Sequence, residues 1–84
     1  MMAYNRVYDD TKRETLYTTR EGLGDACDWM MARADQFDRH NVGVEEVQED
    51  GEVTGWWSID DLFSCNPQGW MLPDGNVIRD KEEA

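Results

Sequence analysis

Between Leu23 and Phe37 the apolar residues recur at three- and four-residue steps: Leu23, Ala26, Cys27, Met30, Ala34 and Phe37. At 100° per residue they form a stripe about 100° wide, the mark of a helix with one buried side. The spacing predicts a helix reaching His40–Asn41, where Asn readily takes the left-handed cap conformation. Thr18 and Glu21 have capping-box spacing at its start, and Gly22 and Gly24 delay the regular helix until Asp25. Glu21, Asp25, Asp28 and Asp35 fall on the opposite side, with Trp29 beside them rather than in the stripe.

On both sides of this helix the period shortens to two. Tyr4–Tyr8 and Glu14–Thr18 carry aromatic and β-branched residues around the polar turn Asp9–Arg13 and read as paired strands. After the helix, Val42–Ile59 reads as a hairpin with Asp50-Gly51 as a two-residue type I′ turn. That turn sets Glu49 opposite Glu52, Val47 opposite Thr54, Glu45 opposite Trp56, Val44 opposite Trp57 and Val42 opposite Ile59. Because side chains alternate, Val42, Val44, Trp57 and Ile59 share an apolar face. Glu45, Val47, Glu49, Glu52, Thr54 and Trp56 share the other, so the adjacent tryptophans separate, Trp57 to the core and Trp56 outward. Ser58 and Asp61 have the spacing to start a turn of helix through Leu62 and Phe63. Trp70–Ile78 reads as a last hairpin turning at Pro73-Asp74-Gly75, and residues 79–84 as a frayed tail. The expected architecture is a single α+β domain, a small antiparallel sheet of hairpins packed against one main helix.

Charge changes this picture most. The chain of 84 residues has a formal net charge of −11, unevenly spread. Residues 1–39 hold eight acids and six bases; residues 40–78 hold eight acids and neither Lys nor Arg. A surface so short of cations repels phosphates, so direct nucleic-acid binding is not expected. No apolar run approaches the length of a membrane span, and the first residues lack the basic start and apolar stretch of a secretory signal. A cytoplasmic setting with Cys27 and Cys65 reduced is the expectation.

Recognisable reaction chemistry is absent. His40, the one histidine, falls at a helix end with no nucleophile placed near it. Gln48–Glu52 and Ser58–Leu62 offer oxygen atoms without the spaced ligands of a calcium loop. There is no Cys/His cluster for zinc and no glycine-rich phosphate loop. Neither a catalytic residue nor a metal or cofactor is expected.

What remains is an acidic, tryptophan-bearing surface. Same-face residues of a strand lie about 6–7 Å apart, and phosphates recur every ~3.4 Å along a DNA strand, so carboxylates on a hairpin suit a groove built for phosphates. The reading is a small acidic inhibitor that occupies a basic, nucleic-acid-binding surface of a partner protein. Glu45, Glu46, Glu49, Asp50 and Glu52 supply charge, Trp56 an aromatic anchor, and Asp25, Asp28, Trp29 and Asp35 a second strip. In size and charge the chain resembles phage-encoded inhibitors of host defence, the nucleic-acid-mimicking anti-restriction and anti-CRISPR type, with no shared motif and no residue carried over. That resemblance implies action in the host cytoplasm. Two alternatives stand beside it: an accessory or antitoxin-like module that binds protein through exposed Trp, and a domain whose charge serves only solubility or life in high salt. An exposed Trp-bearing strand face also suits a homodimer.

Overall fold

The two hairpins form where the period-two segments lie. The computed structural model describes residues 2–81, and among them β1 (Tyr4–Asp9) pairs antiparallel with β2 (Glu14–Thr19). Asp9 closes their turn by accepting from the backbone N–H groups of Thr11 and Lys12, both at 3.0 Å. Helix α1 (Leu23–Met31) follows, then a short 3-10 turn (Ala34–Gln36), then β3 (Val42–Val47) and β4 (Val53–Ser58). Helix α2 (Ile59–Cys65) and a two-residue-per-strand hairpin, β5 (Trp70–Met71) with β6 (Val77–Ile78), complete the chain. The sheet order is β2-β1-β3-β4, all antiparallel, so the hairpins are joined through their first strands and α1 crosses from one edge to the centre. This is the α+β architecture that the pattern implies.

The helix is shorter than its stripe. It ends at Met31, because Arg33 turns back: its guanidinium donates to the Trp29 carbonyl at 2.9 Å and lies 4.3 Å over the Trp29 ring. That carbonyl would otherwise take the Arg33 backbone N–H, which bonds instead to Met30 at 3.0 Å and tightens the last turn. Phe37 then folds onto Trp29 from outside the helix, ring centres 6.0 Å apart. The start also departs from the capping box expected of Thr18 and Glu21. Thr19 accepts from the Glu21 N–H at 3.0 Å, and Gly22, at φ 115°, precedes the first turn without a side-chain cap. Asn41 caps no helix; with His40 it closes a turn on the Asp38 carboxylate.

The core lies on one face of the sheet. Val7, Val42 and Val44 meet Ala26, Cys27, Met30 and Met31 from α1, with Ile59, Leu62 and Phe63 from α2. Met30 and Met31 are fully buried, each side chain contributing about 1.5–3 kcal/mol by leaving water. Ile59 joins this core as the first residue of α2, where the register expectation placed it in a strand. Ser58 stops the strand: its hydroxyl accepts from the Asp61 N–H and the Asp61 carboxylate accepts from the Ser58 N–H, each at 3.1 Å, a complete capping box.

Two glycines make room for the paired tryptophans. A Cβ on Gly55 would stand 2.5 Å from the Trp57 ring, which folds over it on the core side, and one on Gly43 would stand 2.8 Å from the Trp56 ring on the other.

The segment after β6 is also held at Asp80. Arg39 donates to Asp60 (3.1 and 2.8 Å) and to both oxygens of Asp80 (2.6 and 2.7 Å), with its guanidinium 5.4 Å from the centre of the Phe63 ring. Asp80 therefore departs from the frayed tail expected of residues 79–84; residues 82–84 lie outside the described part. No helix among the described residues is long and apolar enough to cross a membrane.

Candidate protein-docking surface

The β3–β4 turn is not the two-residue type I′ turn that Asp50-Gly51 suggests. Gly51 N–H donates to the Gln48 carbonyl at 2.9 Å, Gln48 N–H donates to the Glu52 carbonyl at 2.8 Å, and Gly51 sits at φ 88°. The loop is therefore three residues, Glu49-Asp50-Gly51, with glycine in the left-handed position. The Asp50 carboxylate fixes it by accepting from the Glu52 N–H at 2.9 Å. Leu72–Asn76 repeats the same bonds around Pro73-Asp74-Gly75.

The extra loop residue shifts the register by one, and a bulge at Thr54 shifts it back. Val47 pairs with Val53, not Thr54, whereas Glu46–Gly55, Glu45–Trp56 and Val44–Trp57 pair as the sequence implies. Glu49 does not face Glu52 as a strand pair, which removes the like-charge opposition expected there. Gln48 reaches across to the Thr54 hydroxyl at 2.8 Å instead.

The acids proposed for one surface divide into three settings. Glu49, Asp50 and Glu52 are exposed at the turn. Glu45 departs from the surface charge expected of it: it is 6% exposed, held on β3 between Trp56 of β4 and Arg6 of β1, with the Arg6 guanidinium 3.5 Å away. Glu46 is half-buried on the core side of the sheet, facing Gly55 and Asn5.

The helix acids do not form a free second strip. Asp25 accepts from the Tyr17 hydroxyl at 2.7 Å. That bond, ahead of a weaker one from Thr19, holds its carboxyl below the usual range, and the same contact raises the Tyr17 phenol. Asp28 accepts from the Trp70 indole N–H at 2.8 Å and so ties the β5–β6 hairpin to α1. Asp35 alone of the three is exposed. Trp29 is no free anchor: Tyr17 stacks on it at 4.7 Å with planes 5° apart.

The side of the sheet away from the helices has its own composition. Tyr4, Arg6 and Tyr8 of β1, Glu45 and Val47 of β3 and Trp56 of β4 face it, by strand alternation. Both helices and the β5–β6 hairpin pack on the opposite face. Arg6 lies 4.5 Å over the Tyr8 ring while it pairs with Glu45. Trp56 is 37% exposed, whereas Trp57 is half-buried against the core, the separation that the pattern implies.

Other candidate chemistry is scattered. His40 is exposed, 3.7 Å from Asp60. A groove of about 590 Å³ runs beside it over Phe37, Phe63 and Ile78, with Arg39 along its wall. Both cysteines are free; burial, aided by neighbouring Asp28, pushes the Cys27 thiol up to about 11 and keeps it protonated near neutrality. Among the described residues no three His, Cys, Asp or Glu side chains gather as a metal-holding group.

Comparison of the chain with protein-family models, with curated proteins and with solved structures gives no match. The functional reading therefore rests on the surface just described.

Proposed function

We propose that this protein is a small acidic inhibitor that occupies a basic surface of a partner protein, one that ordinarily holds nucleic acid. The observation that carries the reading is charge left uncompensated by the fold. Among the described acids, Glu45, Asp60 and Asp80 are the ones ion-paired to an arginine, and residues 40–78 supply no Lys or Arg to the rest. Glu49, Asp50 and Glu52 project from the β3–β4 turn next to the uncovered face that bears Trp56. Such a surface attracts a cationic groove at long range, and a nearby indole suits a guanidinium by cation–π contact. Inhibition is by occlusion, with fast and salt-sensitive association, and involves no reaction.

The test is capture of partners by the tagged protein, washed at low and then high salt, with duplex DNA and RNA as competitors. A nucleic-acid-binding protein that salt releases and nucleic acid displaces is the expected result, with capture lost in a Glu49→Gln/Asp50→Asn/Glu52→Gln variant. A second reading is favoured by Trp56 itself, an anchor for a protein partner irrespective of charge. Capture that survives salt and nucleic acid but fails in Trp56→Ala selects that reading and overturns the first.

A further inference from the structure

Strand β4, Val-Thr-Gly-Trp-Trp-Ser, contains no charged residue and no proline. It is also an edge, with β3 as its sole strand neighbour among the described residues. Natural sheets blunt such edges with lysine, proline, bulges or a covering element. The opposite edge follows that rule. β2 begins at Glu14 after Lys12 and Arg13, and its bulge falls mid-strand at Leu16. In β4 the bulge is confined to Thr54 beside the turn, leaving Gly55–Ser58 regular.

The hydrogen-bond alternation shows which groups this edge presents. Asp10 N–H donates to the Asn41 carbonyl, so odd-numbered residues of β3 bond toward β1 and even-numbered ones toward β4, as Gln48 does to Glu52. Glu46 and Val44 therefore bond to Gly55 and Trp57. The backbone N–H and C=O of Trp56 and Ser58 point away from the sheet. Asp61 already takes the Ser58 N–H; among the described residues the Trp56 pair remains open, on a residue whose side chain is exposed.

Charge identifies the occupant. Glu49, Asp50 and Glu52 stand at one end of β4, and Asp60 and Asp61 follow the other. A second copy paired antiparallel about Trp56 would bring Glu52 against the Asp60–Asp61 turn at both ends, like charge upon like. A basic strand meets the exposed carboxylates of Glu49, Asp50 and Glu52 at one end and that of Asp61 at the other, where Asp60 is already paired with Arg39.

We propose that β4 is a docking edge for an extended, Lys/Arg-bearing segment of a partner protein, which joins the sheet as a fifth strand alongside Trp56. This rests on the acidic-inhibitor reading above and adds the manner of engagement: main-chain bonds at the centre, charge at the ends.

The test uses the whole chain, ¹⁵N-labelled, with a synthetic peptide of alternating lysine and valine, and the same peptide N-methylated at every second residue. The unmethylated peptide is expected to slow exchange of the Trp56 amide by roughly ten-fold, the effect of one added hydrogen bond, while the methylated one does not. Trp56→Pro, which removes the outward N–H without touching the β3 ladder, should bind it more weakly than Trp56→Ala. Equal binding of both peptides at low salt, with shifts at Glu49–Glu52 and an unprotected Trp56 amide, overturns the edge while leaving the acidic surface. Absence of binding by either peptide overturns both. Concentration-dependent protection of Trp56 without peptide assigns the edge to a second copy and overturns the proposal. The exchange measurement on the unmutated chain stands even if Trp56→Pro fails to fold.

Discussion

Glu45 and Glu49 belong to one acidic run, yet they do opposite things. Glu45 is enclosed by Arg6 and Trp56 on a central strand, so its charge is part of a packed arrangement. Glu49 and Glu52 are exposed at a turn, in a segment that supplies no Lys or Arg. Glu45→Gln is therefore expected to lower stability by about 1–3 kcal/mol, because it leaves a mostly buried guanidinium short of its partner. Glu49→Gln/Glu52→Gln should change stability by no more than about 0.5 kcal/mol, or raise it. Urea unfolding of the two variants decides the assignment; equal losses would make the turn charges structural as well. The alternation of side chains was enough to send Trp56 and Trp57 to different faces. It could not tell Glu45 from Glu49, because the difference lies in Arg6, a residue distant in sequence.

At the scale of elements, both hairpins and α2 follow from local chemistry. Ser58 and Asp61 bond to each other as their spacing implies, and Asp61→Ala should cost about 1 kcal/mol, with loss concentrated in α2. Hydrogen exchange resolved by residue checks this: Leu62 and Phe63 amides should lose protection before those of β1 and β3. Uniform loss would mean that α2 and the sheet open as one unit. The C-terminal limit of α1 was not legible in this way. Ala32 and Ala34 favour helix, and what stops it is the return of the Arg33 and Phe37 side chains onto Trp29, which residue-type preferences do not encode. The turn spacing implies the observed Glu45–Trp56 pairing because two departures cancel, a longer loop and a bulge. A helical projection places Asp25 and Asp28 on a solvent strip. Their partners, Tyr17 and Trp70, sit on other elements and could not be seen from helical periodicity.

For the whole molecule, a net charge of −11 with few ion pairs among the described residues means that self-repulsion opposes folding. Screening relieves that repulsion within about 10 Å at ~0.1 M salt. The thermal midpoint should therefore rise as sodium chloride is added, and a fall would show that the Arg39 pairs with Asp60 and Asp80 outweigh it. The sheet order carries a separate consequence, for how the chain finds this structure. Its two outer pairings are hairpins that close locally, but the central one, β1 with β3, joins residues 33 to 43 positions apart, from Asp9–Val42 to Tyr4–Val47. Closing that loop is entropically the most demanding step, and its contacts reward the chain only once α1 lies across the joint. The hairpins are thus expected to flicker into existence early as independent halves, and the rate of folding to be set by their collision at Val7 and Val44.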